Sequence, residues 1–254
     1  MHKRYAALGL ILAIAAAGAQ AQDRLPALDQ GMPGPRTQVL VLGSVHLSQM
    51  PKTFKPESMQ PVVDRLAAFK PEVITIEALP GEQCDLATRH PVVYLPEDFE
   101  PYCRSTQEAQ AATGLDVPAA TAQVYQTLRD WPAQPTPAQR RHLAALFMAA
   151  GEHTSAVVQW LQLPAQERTA ADGLDAKLTA QLEKLMTRNN ENVLIAARLA
   201  ARLGLQRVYA TDDHTGDASR SAAPKSAVIA LRITSGWLTT RYSASMSSPS
   251  DNRS

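Results

Sequence analysis

Three short apolar runs along the chain have the pattern of buried β-strands. They occupy residues 38–43, 73–76 and 207–210, and each combines β-branched with other apolar side chains. Between the first two, residues 59–69 place Val62, Val63, Leu66 and Phe69 on one face of a predicted helix. A strand, a helix and a strand within about 40 residues form a βαβ unit, which predicts a parallel sheet with a right-handed crossover.

The segment between the second and third runs is predicted to be helical. Apolar stripes recur at helical spacing from about residue 105 to 203, and prolines divide the earlier part. A long helix is predicted over residues 172–203, with Gly204 as its C-terminal stop. The predicted fold class is therefore α/β, a mostly parallel sheet with a helical insertion between its second and third strands. This domain is expected to span residues 37–217.

The N-terminus has the three parts of a secretory signal peptide. Lys3 and Arg4 precede an apolar stretch over residues 6–17, and residues 19–21 read Ala-Gln-Ala, a small-x-small cleavage pattern. A membrane anchor is the alternative, but the apolar stretch is shorter than the roughly 20 residues that a spanning helix needs. We expect cleavage after residue 21, a flexible leader over residues 22–36 and a periplasmic or secreted protein.

Charge and hydropathy limit the classes of binding partner that we expect. The net charge of +1 falls to about −1 when Lys3 and Arg4 leave with the signal peptide, so no basic surface for nucleic acid is indicated. No later stretch is apolar enough to predict a membrane span. A small molecule or a peptide remains as the expected substrate, and the sequence leaves the oligomeric state open.

Cys84 and Cys103 are the two cysteines of a chain predicted to enter an oxidising compartment. Cysteines in such a place pair more often than they stay free, so a disulfide is expected. The segment between them is rich in proline and predicted to be irregular. Metal or redox use is the alternative, although no CxxC spacing accompanies either cysteine.

Each predicted strand ends in polar residues suited to chemistry. His46 follows the first strand, Glu77 the second, and Asp212 with His214 the third. Ligands bind beyond the carboxyl ends of parallel strands, so His46, Glu77 and Asp212 are expected to share a rim, with His214 in support. An imidazole beside carboxylates can activate water or hold a divalent metal that does so. The alternative is that the carboxylates cap turns and His46 is an ordinary loop histidine.

Residues 41–46, Val-Leu-Gly-Ser-Val-His, and residues 73–77, Val-Ile-Thr-Ile-Glu, resemble a bacterial family in the clan of TraB/GumN, TIKI, erythromycin esterase and ChaN-like proteins. That clan opens with a strand, a Gly-x-x-His turn, a helix and a strand that ends in Glu. The resemblance implies His46 and Glu77 as active-site residues, either in water activation or as metal ligands. Relatives include metal-dependent proteases, esterases and haem-associated proteins, so the reaction is not fixed.

Asn189 lies on the apolar side of the predicted long helix. A buried asparagine needs a hydrogen-bond partner, and the rim residues could supply one. Arg188-Asn189 also resembles an Arg-Asn motif of the clan. The alternative is an asparagine bonded to loop backbone. Arg188 and Glu191 are interpreted as a solvated i,i+3 pair on the opposite side.

These observations favour an exported hydrolase, peptidase- or esterase-like, with His46, Glu77 and Asp212 as catalytic residues and a divalent metal ion as an open question. A non-catalytic haem- or metal-binding protein that uses the same rim is the alternative. The tail over residues 218–254 adds a third, because it is rich in serine, has Asp251 as its one acidic residue and lacks a second Gly-x-x-His turn. The tail predicts either an inactive, truncated or frameshifted family member or a divergent C-terminus, with residues 243–254 disordered.

Overall fold

The structure is a computed structural model that describes residue 34, residues 37–214, and residues 231–233 and 236–238. The predicted signal peptide over residues 1–21, nearly all of the leader over residues 22–36, and most of the tail after residue 217 lie outside the described residues. The chain divides into two compact units, Met1–Gly43 and Ser44–Ser254.

The described part of the first unit corrects the first strand prediction. Residues 37–43 form no strand, and the side chains of the apolar run are exposed, with Val39 at 78% and Val41 at 88% of their full accessible surface. A continuous apolar run predicts a strand only where neighbouring strands cover it. Here the run pairs with no described strand, so the strand that the clan resemblance implies before His46 is not formed.

The second unit is built from helices. We number the α-helices in chain order: α1 Gln60–Phe69, α2 Gly81–Arg89, α3 Pro96–Phe99, α4 Gln107–Thr113, α5 Val117–Arg129, α6 Pro137–Ala149, α7 His153–Leu161, α8 Ala176–Met186 and α9 Arg198–Arg202. A π-helix, Asn192–Ala197, runs directly into α9, and 3₁₀ turns occupy Leu47–Gln49, Pro56–Met59 and Ala165–Glu167. The prediction of a mostly parallel α/β sheet is therefore wrong, and the fold is mostly helical.

Two of the three predicted strands form, but only as a short pair. Strand β1, Thr75–Ile76, pairs in parallel with β2, Tyr209–Ala210, in the register Thr75 to Tyr209 and Ile76 to Ala210. Thr75 and its partner Tyr209 are exposed whereas Ile76 is buried, so one face of this small sheet lies open to solvent. The sequence-based expectation of strands buried on both faces is not met.

Side chains of α7 explain why the sheet stops at two strands. The hydroxyl of Ser155 donates to the Val208 carbonyl over 3.0 Å and accepts from the Val208 amide over 3.3 Å. The amide of Gln159 donates to the Gln206 carbonyl over 2.6 Å, and one turn later Gln162 donates to the Leu205 carbonyl over 2.9 Å. These polar groups satisfy backbone that a third strand would otherwise pair with, because a buried strand edge cannot stay unpaired.

The main core lies between α6 and α7. Leu143, Phe147 and Trp160 are fully buried there, and α6 is buried continuously from Leu143 to Ala149. Such a helix, covered on all sides, is typical of the centre of a helical domain. The core reaches the small sheet through Ile76 and Val208, so the ends of β1 and β2 are held against the rigid centre of the unit.

Two smaller apolar clusters lie outside the main core. In one, Leu79, Ala87 and Phe99 pack beside a disulfide between Cys84 and Cys103, whose Cα atoms are 5.5 Å apart. The disulfide confirms the pairing expected from the sequence. The other cluster joins Leu47, just after His46, to the π-helix residues Leu194 and Ile195.

Within the tail, β3, Leu231–Ile233, and β4, Gly236–Leu238, pair in antiparallel fashion. The rest of the predicted atypical tail, including residues 243–254, lies outside the described residues. None of the helices in the described part of the chain is both long and apolar enough to cross a membrane.

Candidate functional site

The main polar contact of the candidate site joins His46 to Glu191. The Nδ1 atom of His46 lies 3.0 Å from Oε1 of Glu191, and the other carboxylate oxygen accepts from the backbone amide of Leu47 over 3.1 Å. The side chain of His46 is 60% exposed, whereas that of Glu191 is 21% exposed. A half-buried carboxylate thus holds one nitrogen of an imidazole whose ring faces solvent.

The local helix geometry places Glu191 at this position. The predicted helix over residues 172–203 is broken, because α8 ends at Met186 and the chain resumes helical structure only at Glu191, just before the π-helix. Asn190 accepts from the Asn192 amide over 2.9 Å at this restart. The interpretation of Glu191 as a solvated partner of Arg188 is wrong: Glu191 binds His46. π-Helical turns occur frequently at functional sites.

The restart of the helix also contacts the end of β1. The side-chain amide of Asn192 donates to the backbone carbonyl of Glu77 over 3.0 Å. On the other side, the Asp212 amide donates to the Ala78 carbonyl over 3.1 Å, and the hydroxyl of Thr211 donates to the Ile76 carbonyl over 3.1 Å. The backbone after β1 is thus fixed between the π-helix and the segment after β2.

The two partners of the His46–Glu191 contact shift each other's pKa. The hydrogen bond and the negative charge of Glu191 raise the pKa of His46, and the more distant charge of Glu77 adds to this effect. Burial alone would raise the pKa of Glu191, but the hydrogen bonds from His46 and from backbone amides outweigh burial and lower it. Both shifts favour an ionised carboxylate beside an imidazole that takes up a proton readily.

Asp212 belongs to the same electrostatic neighbourhood. Burial raises the pKa of Asp212, and repulsion from Glu77 raises it further, while His214 acts in the opposite direction. Glu77 therefore influences the ionisation of both His46 and Asp212. The ring of His214 lies against Tyr102 and Phe99, with centroids 5.1 and 6.4 Å apart respectively, so this histidine borders the disulfide cluster.

The predicted site residues differ in how they interact with one another in the structure. His46, Glu77 and Asp212 are linked by their charges, and His214 lies next to Asp212. Asn189 is half-buried in the break before the π-helix and makes no hydrogen bond to the part of the chain that the structure describes. Sequence reasoning missed Glu191 and Asn192. The run Asn189-Asn190-Glu191-Asn192 was the available signal, because asparagines favour helix starts over helix interiors.

Among the described residues, no group of three or more His, Cys, Asp or Glu side chains is arranged to hold a metal ion. His46 and Glu77, the predicted metal ligands, thus have no third ligand there, and the ring nitrogen Nδ1 of His46 is occupied by Glu191. The residues present do not fit a metal centre of three protein ligands.

Chemically, the arrangement suits proton transfer. With Nδ1 protonated and donating to Glu191, the second ring nitrogen of His46 is free of its proton and can accept one. A carboxylate that orients a histidine in this way is the usual support for a general base.

Comparisons with known proteins assign no family or function to the chain. No family model, no curated protein and no solved structure matches the chain.

Proposed function

We propose that the protein is an exported hydrolase in which His46 activates water. The observation that carries the proposal is the hydrogen bond from the exposed ring of His46 to the half-buried carboxylate of Glu191. The export rests on the signal sequence predicted over residues 1–21. The resemblance of the chain around His46 and Glu77 to the clan that contains TIKI proteases and erythromycin esterases agrees with this chemistry.

In the proposed mechanism, Glu191 fixes the imidazole so that its second nitrogen faces the substrate. This nitrogen takes a proton from a water molecule as the water oxygen attacks an ester or amide carbonyl carbon. The negative charge of Glu191 stabilises the imidazolium that forms, and the imidazolium then donates its proton to the leaving oxygen or nitrogen. Asp212, whose pKa is raised chiefly by burial and also by repulsion from Glu77, is our candidate for a second proton donor or acceptor.

A screen with p-nitrophenyl esters and fluorogenic peptides tests the proposal on the secreted protein. We expect His46→Ala to lower the hydrolysis rate at least a hundredfold, in the range that a general base contributes. Glu191→Gln should lower it less, because the amide can still accept from the ring but carries no charge. His90→Ala is the matched control, since His90 is an exposed histidine in another segment.

Three results would contradict the proposal. The first is a wild-type protein inactive on every ester and peptide of the screen, and the second is full activity in a folded His46→Ala variant. The third concerns the proton-transfer mechanism alone: activity lost on dialysis against EDTA and restored by Zn²⁺ would assign water activation to a metal ion. Thermal melting of each variant separates loss of activity from loss of fold.

A further inference from the structure

A cavity lies apart from the His46–Glu191 contact, where β2, the middle of α5 and the segment after α6 meet the turn into α2. It has a volume of about 200 Å³ and is lined by Glu82, Tyr125, Glu152, Arg207 and Tyr209 among others. Since an apolar cavity of about 150 Å³ can bind benzene, this cavity has room for a small organic ligand. The proposed hydrolase mechanism uses none of these residues.

Arg207 is the most informative residue of the cavity. Its guanidinium carbon lies 4.6 Å from the ring centre of Tyr209, 5.5 Å from that of Tyr125 and 5.7 Å from that of Phe147. Cation–π attraction to these rings holds the guanidinium in place without satisfying its N–H donors. Within the described residues, Arg207 makes no hydrogen bond or ion pair, and its Nε is buried without a partner. A half-buried arginine is normally paired with an acceptor.

Two glutamates line the cavity, and they differ in their exposure to solvent. Glu152 accepts from the backbone amide of Gly81 over 3.4 Å; burial raises its pKa, whereas the positive charge of Arg207 acts in the opposite direction. Glu82 also lines the cavity and is exposed to solvent. The cavity lining therefore combines the guanidinium of Arg207 with the carboxyl groups of Glu152 and, on the solvent side, Glu82.

We propose that this cavity binds a small zwitterion of amino-acid size, with its carboxylate on Arg207 and its ammonium on Glu82. A simple anion would meet repulsion from Glu82, and a simple cation would meet repulsion from Arg207. A molecule with both charges satisfies the two groups at once, and this discrimination by unlike charges is a general source of specificity. The apolar surfaces of Tyr125 and Tyr209 suit a short aliphatic side chain.

Isothermal titration calorimetry on the secreted protein at pH 7 tests this inference with L-alanine, acetate and ethylammonium. We expect L-alanine to bind at least tenfold more tightly than either single-charge probe. Arg207→Gln should weaken L-alanine binding at least tenfold, and Arg65→Gln, which removes an exposed arginine on α1, should leave it unchanged. Glu82→Gln should weaken L-alanine binding but strengthen acetate binding, because the repulsion from Glu82 is removed.

The exposed position of Glu82 keeps the test decisive even if Arg207→Gln unfolds the protein. Equal affinity for acetate and L-alanine would overturn the proposal in favour of a simple anion site. No heat of binding with L-alanine up to millimolar concentrations would also overturn it, as would an unchanged affinity in Glu82→Gln. Since the His46→Ala variant leaves this cavity intact, its L-alanine affinity should equal that of the wild type, whatever the outcome for hydrolysis.

Discussion

Replacing Gly81 by alanine should destabilise the protein through a single backbone clash. A Cβ atom at this position would lie 1.9 Å from the carbonyl oxygen of Ala150 and 2.8 Å from Cα of Gly151. Ordinary contacts begin at 3.4 Å, so the turn into α2 or the end of α6 would have to move by about 1.5 Å. Overpacking of this kind costs about 1–3 kcal/mol, and backbone cannot swing aside as a side chain can.

We therefore expect Gly81→Ala to lower the free energy of unfolding by about 2–3 kcal/mol, even though alanine is the better helix former. For a domain of this size the melting temperature should fall by about 5–10 °C. Urea titration followed by circular dichroism at 222 nm measures the change in free energy. A loss below about 0.5 kcal/mol would show that the two backbones separate easily and that the close approach is not a constraint.

Two other glycines isolate the clash from other effects of a glycine-to-alanine change. Gly43 has no atom within 4 Å of a Cβ and an ordinary backbone conformation, so Gly43→Ala should stay within about 0.5 kcal/mol of the wild type. Gly114 also has free space, but its φ of +72° is left-handed, so Gly114→Ala should cost about 1–2 kcal/mol. If all three variants lose the same free energy, the steric explanation for Gly81 is wrong.

Three further predictions concern the disulfide, a buried arginine and the candidate site. Cys84→Ser opens a bridge across 19 residues and should cost about 3 kcal/mol in urea titrations, as should reduction of the wild type; a cost under about 1 kcal/mol would contradict it. Arg141→Met removes ion pairs at 2.7 Å to Asp172 and 3.0 Å to Glu167, both partly exposed, and should cost about 1 kcal/mol; a Tm equal to that of the wild type would contradict it. By NMR titration, the pKa of His46 should lie above 6.5 and fall in Glu191→Gln, because Glu191 raises it; an unchanged pKa would contradict the hydrogen bond. The same sign means that this contact stabilises the fold below pH 6.5 and that the stabilisation is lost as the pH rises through the raised pKa of His46.

The fold shows how far apolar patterning alone could predict the structure. It located β1 and β2 because each lies at the end of a short apolar run, residues 73–76 and 207–210 respectively. It could not show that Ser155 and Gln159, which lie 53 and 47 residues before the groups that they bond, would satisfy the backbone beside β2. Because these tertiary hydrogen bonds cannot be read from the sequence, the apolar run at residues 38–43 is predicted as a further strand of the same sheet.

The candidate site was predicted in part for a similar reason. His46, Glu77 and Asp212 follow recognisable apolar runs, so their positions along the chain were informative. Glu191 was assigned to the outer face because a continuous helix with 3.6 residues per turn was assumed from residue 172 onward. The helix ends at Met186 and restarts at Glu191, so the assumed phase did not hold for Glu191.

The contact between His46 and Glu191 joins positions 145 residues apart, so its geometry depends on tertiary packing rather than on either local segment. The apolar cluster of Leu47, Leu194 and Ile195 supplies that packing, since Leu47 directly follows His46 and Leu194 lies three residues after Glu191. Leu194 is fully buried and Leu47 is 3% exposed, whereas the ring of His46 faces solvent.

An exposed histidine at the start of a 3₁₀ turn would otherwise sample many positions. Burial of the next residue fixes its backbone, and the Glu191 carboxylate, which binds both the ring and the Leu47 amide, fixes its side chain. The arrangement thus has the two properties that a general base requires, a fixed ring and an accessible nitrogen.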